Sequence, residues 1–327
     1  MTHKATLAVR TGIETDTQHG AVVPPIYLSS NYTFADFGEP RQYDYARSGN
    51  PTRTNLADAL AALEGGAGAV VTGTGMGAVH LVTTALLKAG DLLIAPHDCY
   101  GGTWRLFEYL AAKGHYQVQF VDQGDEVALA AALAQKPALV WVETPSNPLL
   151  RVVDIAAIAE ASHGVGAQVV VDNTFLSPLL QQPLALGADV VVHSTTKYIN
   201  GHSDVVGGVA IAKEQALAES LVWWANCLGL TSGAFDSYLT LRGLRTLAPR
   251  LRAHQENTDR ILAFLQQQPL VKKIYHPSLP SHPGHEIARR QQSGFGAMLS
   301  FELDCNETGL RAFLAGLRLF SVAESLG

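Results

Sequence analysis

Between residues 68 and 212, short runs of apolar residues alternate with alanine-rich stretches of helical period, and few folds accommodate that alternation. The runs are Gly68–Thr72, Asp91–Ala95, Tyr116–Val121, Ala138–Glu143, Ala167–Asp172, Asp189–His193 and Val205–Ala212. Each is apolar at successive rather than alternate positions, so each strand must be covered on both faces. Helices between consecutive strands act as crossovers and bring the strands side by side in the same direction. The expected fold class is therefore α/β, a mostly parallel sheet sandwiched by helices. In such sheets, groups that do chemistry gather beyond the carboxyl ends of the strands.

What flanks this block is different. Residues 1–47 carry Pro24-Pro25, Gly38-Glu39-Pro40 and the aromatics Tyr27, Tyr32, Phe34, Phe37, Tyr43 and Tyr45. They predict an extended arm with turns, docked by its rings on the body or on a second subunit. Thr52–Leu63 predicts a helix, with Pro51 suited to its first turn and Gly65-Gly66 ending it. Downstream, one long helix is expected from Leu239 through Leu251 and His254 to Leu265. Strands Val271–Tyr275 and Ala297–Leu303 and a helix Glu307–Phe313 then begin a small α+β domain. A chain of 327 residues exceeds what one core usually holds, and the expected division is an arm (1–47), an α/β domain (48–255) and a smaller, incomplete C-terminal domain (256–327).

Composition removes several function classes. The formal net charge of −6 and the scattered Lys and Arg argue against a nucleic-acid-tracking surface. Cys99, Cys227 and Cys305 lie too far apart to suggest a disulfide framework or a thiolate metal site. The amino terminus has no apolar secretory core and no run reaches membrane-spanning length. A cytoplasmic protein is expected.

Four strand ends carry reactive groups. Thr72-Gly73-Thr74-Gly75-Met76-Gly77-Ala78 follows a strand and opens a helix, so its freed backbone amides suit a phosphate dianion, although an ordinary glycine-rich turn has the same pattern. It lacks the acidic residue at the next strand end expected of a dinucleotide site, and the Gly-Lys-Ser/Thr of a nucleotide loop. Asp172 ends an apolar strand, where it either caps the turn at Asn173-Thr174 or pairs with a protonated ring nitrogen. Lys197 lies just past Asp189–His193, where partial desolvation favours the neutral amine that forms a Schiff base with an aldehyde, and Ser194 and Thr196 offer hydroxyls to a phosphate. Tyr100 follows another strand end, with a ring able to cover a flat cofactor. His97, Asp98 and Cys99 are adjacent in the chain and cannot easily all face one ion, so no metal is expected. Arg47, beside Tyr45, has the planar fork that suits phosphate oxygens, as well as ordinary interface ion pairs.

The run from Asp172-Asn173-Thr174-Phe175-Leu176-Ser177-Pro178 through Gln181-Gln182-Pro183-Leu184 and Gly187-Ala188-Asp189 to His193-Ser194-Thr195-Thr196-Lys197-Tyr198-Ile199-Asn200-Gly201-His202 resembles the signature of the Cys/Met-metabolism family of pyridoxal-phosphate enzymes. His97-Asp98-Cys99-Tyr100-Gly101-Gly102 and Thr144-Pro145-Ser146-Asn147-Pro148 extend the likeness over essentially the whole chain. The resemblance implies pyridoxal-phosphate fold type I, with pyridoxal 5'-phosphate on Lys197, Asp172 at the ring nitrogen and Tyr100 against the ring. It gives Gly75, Met76, Ser194 and Thr196 to the phosphate. It also implies a homotetramer built as a dimer of dimers, in which Tyr45 and Arg47 reach the neighbouring subunit's phosphate; Ala46 stands where the family commonly has serine.

The implied reaction is γ-replacement on an O-acylated homoserine, typically O-succinyl-L-homoserine, with L-cysteine as the incoming thiol and cystathionine and succinate as products. Asn147 and Arg105 are expected at substrate carboxylates, and Asp44 and Glu324 at polar substrate groups. γ-Lyase, β-lyase and sulfhydrylase activities use nearly the same cofactor apparatus and stay open, as does a poorly active homologue. A nicotinamide dehydrogenase would explain the glycines but leaves Lys197 without a role. Family members continue beyond Glu324-Ser325-Leu326-Gly327 with a segment that supplies an arginine for the substrate α-carboxylate, so the expectation is a small domain left incomplete, with weak turnover or low stability.

Overall fold

The computed structural model describes residues 2–326. A short helix, α1 (Lys4–Arg10), lies within the arm, and α2 (Pro51–Glu64) opens the body. The alternating block comprises β1 (Gly68–Thr72), α3 (Gly75–Leu86), β2 (Leu92–Pro96), α4 (Gly101–Ala112), β3 (Gln117–Val121), α5 (Glu126–Leu133), β4 (Leu139–Glu143), α6 (Ile155–Gly164), β5 (Gln168–Asp172), α7 (Ser177–Leu180), β6 (Val190–Ser194) and β7 (Gly208–Ala212). Beyond it come α8 (Gln215–Leu228), α9 (Ala234–Leu244), α10 (Leu247–Leu265), β8 (Val271–Tyr275), α11 (His285–Gln291), β9 (Ser300–Leu303) and α12 (Glu307–Ala315).

The sheet runs in the order β1-β7-β6-β5-β4-β2-β3. Strands β3, β2, β4, β5 and β6 pair in parallel, while β7 lies antiparallel between β6 and β1. The reversal has a local cause: no crossover helix lies between β6 and β7, so the chain returns along the edge it has just left. As a result the start of β7 sits at the same edge as the carboxyl ends of the other strands. Strand alternation divides the core into two layers. Val169, Val171 and Val191 pack with Leu56, Leu60 and Ile155 on one face, and Val170, Val190 and Val192 pack with Leu81, Phe107 and Trp141 on the other.

Helix α2 begins where Asn50 accepts hydrogen bonds from the amides of Thr52 and Arg53, and it ends at Gly65 in the left-handed region. Three expectations need correction. The arm contains α1, whose Ala8 is buried, as well as turns. The strand expected from Val205 starts at Gly208. The single helix expected from Leu239 to Leu265 is two. The Gly243 carbonyl accepts from the Thr246 amide and hydroxyl and from the Arg250 guanidinium, which tightens the turn and breaks the ladder between α9 and α10.

The arm meets the body at Asn50, whose side-chain amide donates to the Tyr27 carbonyl, and at Thr52, whose hydroxyl accepts from the Tyr27 amide. Its rings are not all covered: Phe37 is fully exposed and Phe34 and Tyr45 are half exposed. Strands β8 and β9 form a second, antiparallel sheet. The expected boundary at 255/256 falls inside α10, which runs through it unbroken. Among the described residues no helix is long and apolar enough to cross a membrane.

Candidate active site

Thr74 caps α3 by accepting the Gly77 amide through its hydroxyl at 2.8 Å, and its carbonyl accepts the Ala78 amide. The amides of Gly75 and Met76 are left without a partner among the described residues, which makes them donors for an anion at the positive end of the helix. Ser194 lies directly against them. A Cβ at Gly75 would come within 2.8 Å of the Ser194 Cβ and 3.1 Å of its Oγ, so only glycine admits this approach. At Gly208 a Cβ would lie 2.2 Å from the Thr74 carbonyl oxygen, which is how the reversed β7 closes the same cradle. The Thr196 hydroxyl is used within the protein: it accepts from the Gly207 amide at 3.0 Å and donates to the Gly207 carbonyl at 3.2 Å.

Parallel pairing sets Asp172 directly beside Glu143. Asp172 Oδ1 accepts from the Thr174 amide at 3.0 Å and from the Thr174 hydroxyl at 2.5 Å. Thr174 Oγ1 in turn accepts from the Ser194 amide at 2.9 Å, tying the ends of β5 and β6 together. The turn-capping role of Asp172 is thus present and occupies one oxygen; among the described residues Oδ2 has no hydrogen-bond donor. Burial raises the Asp172 carboxyl above its ordinary range, opposed by the Thr174 bonds and by His193. Glu143 is pushed well above its ordinary range by burial and by Asp172, against the hydrogen bond from the Tyr100 amide. Two such carboxyls side by side need a proton or a cation between them, and a protonated pyridine nitrogen meets that need.

Lys197 stands in the turn after β6, half-buried, with burial lowering its affinity for a proton. Its Nζ donates to the Ser325 Oγ at 2.6 Å, and no carboxylate lies within ion-pair distance of it among the described residues. The turn is held from behind by Arg250, whose guanidinium donates to the carbonyls of Tyr198 and Ile199. Tyr100 caps the start of α4, its ring about half exposed. A Cβ at Gly102 would lie 2.5 Å from the Tyr100 ring and 3.1 Å from the Met76 sulfur, so Gly102 brings Tyr100 up to the phosphate cradle.

The remaining candidates are more scattered. Asn147 is exposed between Ser146 and Pro148, and its backbone amide reaches Glu143. Arg105 and Glu324 are exposed. Asp44 and Arg47 line a separate cavity of about 390 Å³ together with Tyr43, Asn226 and Thr231. There Arg47 donates to the Asn226 carbonyl and side chain, and Asp44 accepts from Ser48 and from the Tyr45 amide. Within one subunit these arm residues are not brought to Lys197. Sequence reasoning missed Glu143, Thr174 and Ser325. Glu143 carried the same signal as Asp172, an acid ending a buried strand, whereas Ser325 carried none.

A half-buried lysine, a pair of buried carboxyls and an anion cradle at the carboxyl edge of this mixed sheet are the arrangement of a pyridoxal-phosphate enzyme of fold type I. Residues 5–327 match the family described as Cys/Met metabolism PLP-dependent enzyme, and the chain belongs to that family. It is 67% identical to the cystathionine gamma-synthase of Escherichia coli (strain K12) over 328 residues, covering all of this chain and 85% of that protein. A cystathionine beta-lyase of Lactococcus lactis subsp. cremoris (strain MG1363) is 44% identical, with 86% of its length covered. The structure of cystathionine gamma synthase from Xanthomonas oryzae pv. oryzae in complex with aminoacrylate and cysteine superposes with a TM-score of 0.99 at 60% identity, covering all of this chain and 84% of that one.

Proposed function

We propose that this chain catalyses γ-replacement between O-succinyl-L-homoserine and L-cysteine, giving L-cystathionine and succinate. The Cγ–O bond breaks, the Cγ–S bond forms, and the thiol proton is released with succinate. The observation that carries the reading is the convergence of Lys197, Asp172 beside Glu143, and the free amides of Gly75 and Met76 at one sheet edge. The cystathionine gamma-synthase of Escherichia coli, 67% identical, supports cystathionine as the product. Pyridoxal phosphate, when bound, supplies an electron sink for carbanions at substrate Cα and Cβ.

The protein's own residues do the rest. Gly75, Met76 and Ser194 would hold the phosphate, and Thr196 would join them once its hydroxyl turned from the Gly207 carbonyl. Asp172 would hold the proton at the ring nitrogen, and Tyr100 would cover the ring. Lys197 would hold the cofactor through its aldehyde, and its desolvated amine, bonded to Ser325, suits it to carry protons at substrate Cα and Cβ. Asn147 and Arg105 take substrate carboxylates, and Asp44 and Glu324 take polar substrate groups. Tyr45 and Arg47 serve the neighbouring subunit of a homotetramer, across an interface that covers the exposed rings of the arm at residues 1–47. The metabolic setting is the cytoplasm.

The test is the purified chain with pyridoxal phosphate, O-succinyl-L-homoserine and L-cysteine, with cystathionine and succinate measured together. Equimolar formation of the two supports the reading. Cleavage of cystathionine without synthesis, as the 44% identical β-lyase favours, overturns it.

A further inference from the structure

At the carboxyl ends of β5 and β6 the parallel ladder breaks one rung early. Asn173 donates its amide to the Val192 carbonyl, as the register requires, and the next rung would carry the Ser194 amide to the Asn173 carbonyl. That carbonyl is taken instead by the Ser177 amide at 3.0 Å, because the chain has already turned toward α7. The Thr174 hydroxyl stands in for it and accepts the Ser194 amide at 2.9 Å. Without it, Ser194 would leave a donor unmatched at a strand end only partly open to solvent.

The direction of this bond fixes a second one. Asp172 Oδ1 receives the Thr174 amide at 3.0 Å and is therefore an acceptor, and the Thr174 oxygen, filled on one side by Ser194, has its own proton to give it at 2.5 Å. One oxygen of Asp172 thus takes two donors from a single residue, whether or not the other oxygen carries a proton. Oδ2, which has no donor among the described residues, is left as the oxygen available to a ring nitrogen. An aspartate that merely capped its turn would need only the Thr174 amide. At the other end of the relay, Ser194 packs so closely on Gly75 that a Cβ there would lie 3.0 Å from the Ser194 Cα. A single hydroxyl therefore reaches from the carboxyl of Asp172 to the backbone of the anion cradle.

We infer that Thr174 is a positioning residue that sets the two anchors of the cofactor relative to each other, its hydroxyl orienting Asp172 toward the ring nitrogen and holding Ser194 against the phosphate cradle. This rests on the roles of Asp172 and Ser194 proposed above. Thr174 need not touch the cofactor to act in this way. Loss of its one hydroxyl should weaken recognition at both ends of the ligand together.

The experiment titrates the cofactor-free full chain with pyridoxal phosphate, with 5'-deoxypyridoxal, which keeps the aldehyde and ring nitrogen but lacks the phosphate, and with inorganic phosphate as a competitor of pyridoxal phosphate. Absorption and fluorescence report binding, and apoprotein melting is recorded alongside. Thr174→Val keeps the shape and the backbone amide and removes the hydroxyl. It should weaken pyridoxal phosphate binding by about tenfold or more, the range for a buried donor left unmatched, and should weaken 5'-deoxypyridoxal and inorganic phosphate several-fold each. Thr174→Ser keeps the hydroxyl and loses the methyl, and should bind all of them much as the wild type does. A Thr174→Val protein that melts lower but binds every probe normally would show a packing role and overturn the inference. So would weakening confined to one end of the ligand, or a Thr174→Ser protein as weak as Thr174→Val. A wild type that binds no pyridoxal phosphate would overturn the proposed function and the inference with it; in a wild type that binds, the variants test the inference alone. Neutron diffraction from wild-type apoprotein needs no variant to fold: a hydroxyl hydrogen on the line from Thr174 to Asp172 Oδ1 is expected, and one directed elsewhere sinks the idea.

Discussion

Lys197 and Ser325 meet at 2.6 Å although they lie 128 positions apart in the chain. Lys197→Ala should therefore abolish borohydride-stable labelling at this position and lower turnover by about a hundredfold or more, the range for loss of a proton-transferring group, as peptide mapping and steady-state rates would check. Gly75→Ala tests the cradle. Its new methyl would sit 2.8 Å from the Ser194 Cβ, and the expected result is about tenfold or greater loss of cofactor affinity with only about 1–3 kcal/mol of destabilisation from overpacking, read by titration and denaturant unfolding. The Glu143–Asp172 pair gives a pH dependence whose sign follows from raised carboxyl values. The folded apoprotein keeps protons that the unfolded chain has lost, so stability is greatest in acid relative to this pair and falls as pH rises from 4.5, the ordinary value for Glu143, through its raised folded value. Denaturant midpoints across that range should show a shallower fall in Glu143→Gln than in the wild type.

At the scale of elements, α2 links the arm to the sheet. Asn50 caps its first turn and also donates to the Tyr27 carbonyl, while Glu64 ends it against His193 of β6. Asn50→Ala removes the cap and the bonds to the Tyr27 carbonyl and the Tyr32 hydroxyl, and a loss of about 1–2 kcal/mol is expected from the cap, with faster proteolysis of the arm ahead of α2. Truncation of the apolar face of α2 costs more: Leu60 is wholly buried against the sheet, and Leu60→Ala should lose about 2–5 kcal/mol in thermal or denaturant unfolding. The alternation of strands and helices was legible because each buried strand leaves a contiguous apolar run. The break between α9 and α10 was not, since it depends on Arg250 reaching the Gly243 carbonyl while bracing the lysine turn.

On the scale of the molecule, the arm decides whether one subunit is sufficient. Phe37, Phe34, Tyr45 and Leu28 are exposed on one protomer, and Arg47 lies at Asn226 rather than at the Lys197 edge. If the arm serves a neighbour, Lys197→Ala and Arg47→Ala proteins, each inactive or weak alone, should recover about a quarter of wild-type activity when unfolded and refolded together, because a mixed dimer pairs one intact site with one doubly impaired site. Equilibrium sedimentation should show a tetramer for the wild type. A monomer, or no recovery on mixing, would remove the arm from catalysis.

The sequence alone determined the sheet, its coverage on both faces, and the strand ends at which Asp172, Lys197, Tyr100 and the Gly75 turn would be found. These are matters of period and local conformation, written in neighbouring residues. Only the tertiary structure decided that β7 turns back to close the cradle through Gly208, that Glu143 stands beside Asp172, that Ser325 meets Lys197 and that Glu64 meets His193. Those relations depend on which strands become neighbours and on which side chains share a buried space, and residues far apart in the chain carry no local mark of the charge they will face once folded.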